Sequence, residues 1–406
     1  MTFRIALSGL AAAQADLSTT ANNIANANTS GFKVSRAEFG DVFQTSAYGL
    51  SSVNTGGGVR LERVAQNFSQ GTVNITNNSL DMALSGSGFF TLKDSSGLSY
   101  SRAGTFTTDR DGFVVTGTGA HLQIFPPIAG SATFNTGTLS DLQLSSADNP
   151  PSATTQLSAE LNLPTNESPP ANGTFSATDP TSYNHTTSVT LYDSLGGAHT
   201  ASLYYVKTAT ANTWDMYVGI DGTTLAGSNT LTYSSSGALV TPALGSVTLP
   251  AFTPTNGSAA MNLTLGLSKT TQYGSQFNVS ALHQDGYTTG RLTGIEVDPT
   301  GVVQARYTNG QSSALGQLAL TNFASPQSLQ QLGNTRWGET FSSGQALHGT
   351  AGSSNFGQVQ SGALEASNVD LTEQLVNMIT AQRNFEANSQ MIKTSDQITQ
   401  TIINIR

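Results

Sequence analysis

Apolar and small residues recur at Phe3, Ala6, Leu10, Ala13, Leu17, Thr20 and Ile24, at spacings that alternate three and four. That period predicts a helix with a coiled-coil seam over three heptads. Ala6, Ala13 and Thr20 on its second set of positions permit close helix approach but supply little burial. At the other end Leu371, Met378, Phe385 and Ile392 recur every seven residues, with Leu375 and Ile403 on the alternating set. No Gly or Pro follows Gly362, and Asp370 with Glu373 reads as an N-cap and its capping-box partner. A helix from about 371 to 404 would run roughly 50 Å. Gln382, Ser389 and Asp396 weaken its stripe. Neither helix should hold alone in water, because helix stability comes mostly from burying an apolar face. Either the two pair antiparallel within the chain, or that pair packs in turn against copies of itself.

Between the termini the period falls to two. Phe89-Phe90-Thr91-Leu92 and Leu98-Ser99-Tyr100-Ser101 flank Asp94-Ser95-Ser96-Gly97, a hairpin pattern. Thr105-Phe106-Thr107 and Phe113-Val114-Val115 flank Asp109-Arg110-Asp111-Gly112 in the same way. Val189 to Tyr192, Ala201 to Val206 and Trp214 to Val218 read as a meander, and strands resume at Ile295 to Val297 and Val302 to Ala305. Eleven of the thirteen prolines lie between Pro126 and Pro254, and between Arg110 and Arg291 only Lys207 and Lys269 are basic. A Pro-rich, nearly cation-free middle is therefore nested between two flanks, with junctions and hinges near 145 and 285. The expected fold is multi-domain: a terminal α-helical coiled-coil pair plus mainly antiparallel β domains nested between its members. Its parts are residues 1–30 with 365–406 as the helical domain, 31–70 as an extended linker, 71–145 with 285–364 as an inner β domain, and 146–284 as an outer β domain.

Composition narrows the function. Only 10% of the 406 residues are charged, against about 25% in ordinary soluble proteins. The net charge is −9 and the 16 Lys and Arg are scattered, which gives no nucleic-acid footprint. No apolar run approaches the roughly 18 residues of a membrane span, so no membrane insertion is expected. The absence of Cys removes disulfides, thiol catalysis and Cys-based zinc sites. Arg4, the run Ile5 to Ala13 and Ala13-Gln14-Ala15 mimic a cleaved signal peptide, yet the heptads continue through the supposed cut.

Catalytic candidates are thin. His121, His185, His199, His283 and His348 lack zinc spacing. Ser30-Gly31-Phe32-Lys33 matches S-x-x-K without its partner motifs, and Asp109 to Gly112 is half a calcium loop and reads as a turn. No catalytic residue, cofactor or metal is expected. More informative are Asn22-Asn23-Ile24-Ala25-Asn26 and Thr29-Ser30-Gly31-Phe32-Lys33. The Asn side chains compete for backbone bonds and stop the helix, Gly31 permits a left-handed turn, and Gly31 and Phe32 redirect the chain. The three Asn amides could also bond neighbouring copies.

These residues carry a resemblance. Phe3…Ser8-Gly9-Leu10…Asn22-Asn23-Ile24-Ala25-Asn26…Gly31-Phe32-Lys33 is similar to the N-terminal signature of the bacterial flagellar axial proteins of rod and hook. Gly362-Ala363-Leu364-Glu365-Ala366-Ser367-Asn368-Val369-Asp370-Leu371, running on to Phe385-Glu386-Ala387-Asn388, resembles that family's terminal helix, and Leu80 to Leu84 with Gly88-Phe89-Phe90 its first β segment. The central insertion and Phe39-Gly40-Asp41-Val42-Phe43 look like the hook branch rather than the shorter distal rod. The resemblance implies a structural, non-enzymatic subunit that self-assembles into a curved hollow tube, a universal joint passing torque from rod to filament. Phe3, Leu10, Leu17, Asn22, Asn23, Ile24, Asn26, Leu371, Leu375, Met378, Phe385, Ile392 and Ile403 would carry self-assembly. Implied partners are copies of itself, the distal rod protein, a hook cap, a hook–filament junction protein and the flagellar type III export apparatus. The place would be the extracellular flagellum, reached without a cleaved signal. A distal rod subunit and a non-polymerising extracellular binding module remain the alternatives.

Overall fold

A computed structural model describes residues 2–42, 56–144 and 147–404. Phe43 of the Phe39-to-Phe43 element and the junction at 145 lie outside the described residues. The chain divides into two compact units: Met1–Ser145 with Gly294–Arg306 and Ser312–Arg406, and Ser146–Thr293 with Tyr307–Gln311. Both terminal helices belong to the first unit.

In that unit helix α1 spans Thr2–Ala25 and helix α2 spans Leu371–Asn404. α1 runs unbroken through Ala13-Gln14-Ala15. Asp370 caps α2, its Oδ1 accepting from Thr372 N at 2.8 Å and Glu373 N at 3.2 Å. Next to α1 lies a two-stranded antiparallel ribbon, Ser35–Asp41 with Val59–Gln66, in which Ala37 and Ala65 are buried. Ser8 Oγ ties its second strand to α1 by accepting from Val59 N at 3.2 Å. The extended segment 31–70 is thus held against the helix over part of its length.

The β body of the first unit builds on the hairpin Phe89–Asp94/Gly97–Ser101, with Asp94 Oδ1 accepting from Ser96 N in its turn. Successive side chains of a strand face opposite ways. Phe90 and Leu92 accordingly enter the main core with Met82, Leu84, Phe106 and Leu122, while Phe89 enters a second cluster with Tyr100, Phe323 and Trp337. Asp109 closes its turn by accepting from Asp111 N and Phe113 N at 2.9 and 2.8 Å, which accounts for the half calcium loop.

The second unit has a meander of His185–Tyr192, Ala198–Lys207 and Thr213–Ile220, continued by Asn229–Tyr233 and Leu239–Thr241. A second sheet centres on Gln156–Pro164, whose Leu157, Ala159, Leu161 and Leu163 alternate into a core shared with Leu203, Tyr205, Trp214 and Met216. That strand pairs antiparallel with Asn278–Gln284 but parallel with Thr264–Gly266 and Thr271–Tyr273. The architecture is terminal helices with mainly antiparallel sheets between them.

Candidate functional site

The helix pair inverts the usual amphipathic pattern. The buried residues of α1 are Ala6, Ala13, Thr20 and Asn23, and those of α2 are Gln374 and Ala381. Small residues let the backbones close up, so a Cβ on Gly9 would collide with Asn388 Oδ1. Asn23 Nδ2 donates to Gln374 Oε1 at 3.0 Å. The two contacts lie fourteen residues apart on each helix (9 to 23, 374 to 388), about four turns, and run in opposite directions.

Larger side chains are left over. Leu10, Leu17 and Ile24 of α1 and Met378, Phe385 and Ile392 of α2 are half-buried, whereas Phe3, Leu371, Leu375 and Ile403 are exposed. Leu7, Val376, Ile379, Met391 and Ile398 join the exposed set. In α1 the heptads include the small residues Ala6, Ala13 and Thr20 as positions of close approach, whereas in α2 they pick out the large residues and not Gln374 and Ala381; much of the large apolar surface is left free.

Beneath the pair the chain is tied in a charged knot. Gly31 sits at φ +69°, where its missing Cβ lets the turn lie against the backbone of Arg102 and Ala103. The turn, with Phe32 half-buried, sends Lys33 inward. Lys33 Nζ donates to Glu365 Oε1 at 2.7 Å and to Ser69 O at 2.8 Å, and both ionic side chains have 0% exposure. Arg102 reaches Glu365 Oε2 at 3.3 Å and Gly86 O at 2.7 Å, and Gly71 N donates to Glu365 Oε1 at 2.9 Å. Burial lowers the pKa of Lys33 below 10.5 while Glu365 beside it works the other way, and burial lowers Arg102 too. One carboxylate therefore holds two buried cations; the carbonyl oxygens of Ser69, Leu84 and Gly86 take further donors, and Arg102 Nε is left without a partner among the described residues.

Asparagines finish the knot. Asn368 Oδ1 accepts from Val34 N at 2.7 Å, and its Nδ2 donates to Asn67 O and Ser69 O. Asn23 exchanges bonds with the Ser35 backbone at 2.8 and 2.9 Å besides Gln374. Its amide is spent within the chain and not, as its position suggested, free for a neighbouring copy. Asn26 bonds back to Asn22 O at 2.9 Å, and the Asn22 side chain is exposed. Sequence reading took Lys33 as part of a motif and missed Arg102 and Glu365 as its partners.

A second polar cluster lies in the second unit. His199 Nδ1 meets Asp221 Oδ2 at 2.5 Å and its Nε2 meets Asp193 Oδ2 at 3.2 Å, so the imidazole is placed to carry both protons. Burial opposes that charge, but bonds and charges from Asp221 and Asp193 outweigh it and hold the His199 pKa above 6.5. Burial also works against Asp193 and Asp221, yet hydrogen bonds, from Asn256 and His199 to the first and from His199 and Thr200 N to the second, keep both below the usual carboxylate range. The His199 contribution to stability is full below pH 6.5 and lost as pH rises through its raised value; the aspartate share is full above pH 3.8 and lost on acidification. Thermal unfolding followed by the buried Trp214 should give a midpoint that falls as pH rises above 6.5, and His199→Asn should flatten that slope. Among the described residues no group of three or more His, Asp or Glu is arranged to hold a metal ion.

Four family profiles match in order along the chain. Residues 3–33 match "Flagella basal body rod protein", 83–165 "Flagellar hook protein FlgE/F/G D1 domain", 156–287 "Flagellar basal body protein FlaE D2 domain" and 360–405 "Flagellar basal body rod FlgEFG protein C-terminal". The chain is 39% identical to the flagellar hook protein FlgE of Salmonella typhimurium over 414 residues, covering 100% of each. It is 39% identical to that of Escherichia coli K12 over 412 residues, again 100% of each, and 31% identical to that of Borreliella burgdorferi over 98% of each. Its fold resembles the crystal structure of Helicobacter pylori flagellar hook protein FlgE2, with a TM-score of 0.53 at 13% identity, covering 72% of this chain and 100% of that one.

Proposed function

The chain belongs to the flagellar hook protein family, and from that premise we propose that it is the subunit that polymerises into the hook, a curved hollow tube passing torque from rod to filament. The observation that carries this reading is the outward apolar surface of the helix pair. Nine large apolar residues of α1 and α2, among those described, stay about half exposed or more after the two helices have packed. At about 1 kcal/mol for each half-buried Leu, Ile or Phe completed, neighbouring copies would supply stabilisation that the chain alone lacks. Phe3, Leu371, Leu375 and Ile403 would enter fully into contacts between copies, while Leu10, Leu17, Ile24, Met378, Phe385 and Ile392 fill the space between the two sets. Asn22, exposed, is the amide placed for neighbours, whereas Asn26 spends its amide on Asn22 O and on Thr29 Oγ1.

The knot of Lys33, Arg102 and Glu365 would carry load from the helices to the β body of the same unit. Burial of apolar surface is non-directional and tolerates sliding. The second unit, poor in cations, offers few strong ion pairs to break when neighbours shift register. Its partners in the flagellum would be the distal rod protein, a hook cap, a hook–filament junction protein and the type III export apparatus, and its role is structural.

Amide hydrogen exchange separates this reading from a helix pair complete in itself. The amides of 2–25 and 371–404 should exchange at least a hundredfold faster in the monomer than in the polymer. Protection in the monomer equal to that of the β cores would mean the pair needs no copies.

A further inference from the structure

We infer that the hairpin Gln330–Gly333/Arg336–Gly338, with the 3-10 turn Phe341–Ser343 that follows it, is a second contact between copies of this chain, anchored by Phe341 and Leu332. The inference rests on the polymer reading above and adds to it a surface in the β body, apart from the helices.

Phe341 is 105% exposed, yet the backbone that presents it is fixed. Thr340 Oγ1 accepts from Ser343 N at 3.1 Å while Ser343 Oγ accepts from Thr340 N at 3.0 Å. Thr340 Oγ1 also donates to Ser328 O at 2.7 Å, and Ser343 is fully buried. An aromatic ring held out on a preorganised turn loses little conformational freedom on docking, which is how interface anchors gain their weight.

The hairpin shows the same preparation. Gln330–Gly333 ends the strand path of its sheet, and all four of its residues are exposed, Leu332 among them. Its outer edge is open to pairing. The turn places Asn334 and Thr335 at φ +51° and +53°. A β-branched residue rarely adopts that conformation, and Ser101 Oγ holds it by donating to Thr335 O at 2.8 Å. Strain kept in an exposed turn fits a surface selected for shape. Charge is confined to two side chains: Arg336 is bound to Asp94 at 2.6 Å, and Glu339 is exposed between the hairpin and the turn, placed for the polar rim that surrounds an interface centre.

Continuity identifies the occupant as a second copy. A groove of about 550 Å³ runs from Gln331 and Trp337 to Asn22 and Asn26 at the end of α1. The hairpin that carries Leu332 therefore borders the end of the helix whose surface is assigned to neighbouring copies.

The test uses the full chain with Phe341→Ser, alone and with Leu332→Ser. Thermal unfolding of the monomer should not change, and the critical concentration for salt-driven polymerisation should rise at least tenfold. The chain has no Cys, so Phe341→Cys accepts a single environment-sensitive dye, whose emission should shift to the blue on polymerisation. A wild-type chain that polymerises alongside variants of unchanged critical concentration, with no dye shift, would overturn this contact and leave the polymer reading standing. A shift already present in dilute monomer would place the chain's own residues over the position and overturn it too. Failure of the wild type to polymerise would remove the polymer reading and this inference with it.

Discussion

Replacing Glu365 with alanine is expected to destabilise the first unit by about 3–5 kcal/mol, the cost of leaving buried charge without its partner. Lys33 and Arg102 both point at this carboxylate from inside the protein, and no water reaches Lys33 or Glu365 to replace it. The chain supplies its own reporters. Trp337 lies in the first unit and Trp214 in the second, both buried, so a Trp214→Phe background makes tryptophan emission specific to the first. Urea unfolding should then show the loss, while Arg36→Ala, which breaks an exposed pair with Glu38, should leave the midpoint nearly unchanged. A loss below about 1 kcal/mol for Glu365→Ala would mean that carbonyl oxygens alone satisfy the two cations. The knot would then be no strut between helices and β body.

Leu375→Asp together with Ile379→Asp should abolish polymerisation under conditions where the wild-type chain assembles, raising the critical concentration at least a hundredfold, about 2.7 kcal/mol. Both side chains are about half exposed and lie one turn apart on α2. Asp at these sites removes two apolar contributions and asks a neighbour to bury charge. Because both point away from the buried stripe of Gln374 and Ala381, the fold of the isolated chain should survive. Ala381→Asp makes the contrast, since it strikes the packed stripe and should disturb the helix pair itself. Equal polymerisation by the Leu375/Ile379 variant would show that this face of α2 meets only solvent.

What could be read from the sequence follows from how local each feature is. Both helices, the Asp370 cap and the hairpins of Phe89 and Phe106 were legible, because heptads and Asp-containing turns act within a few residues. Which stripe of α2 closes the pair was not. In α1 the small positions Ala6, Ala13 and Thr20 of the heptads mark the close approach, but in α2 periodicity weights Leu, Met and Phe, whereas the buried positions are Gln374 and Ala381. The knot was hidden by distance, since Glu365 lies 332 residues from Lys33 and 263 from Arg102. Its one local trace is a lysine directly after a helix-ending turn that Gly31 must make. The parallel pairing of Gln156–Pro164 with Thr264–Gly266 likewise joins segments that no local pattern relates. The turn at Phe341 carries its signal in Thr340 and Ser343, but a reading that looks for buried faces passes over a residue placed to be exposed.

The central claim is that the terminal helices complete their burial only in copies of the same chain. Negative-stain electron microscopy of the purified protein, brought to high concentrations of a kosmotropic salt such as ammonium sulfate, tests it most directly. Such salts strengthen apolar burial without adding a partner. The account predicts hollow curved tubes from the wild-type chain and none from the Leu375/Ile379 variant. A wild-type chain that stays monomeric at every salt concentration, with both termini intact by mass spectrometry, would contradict it.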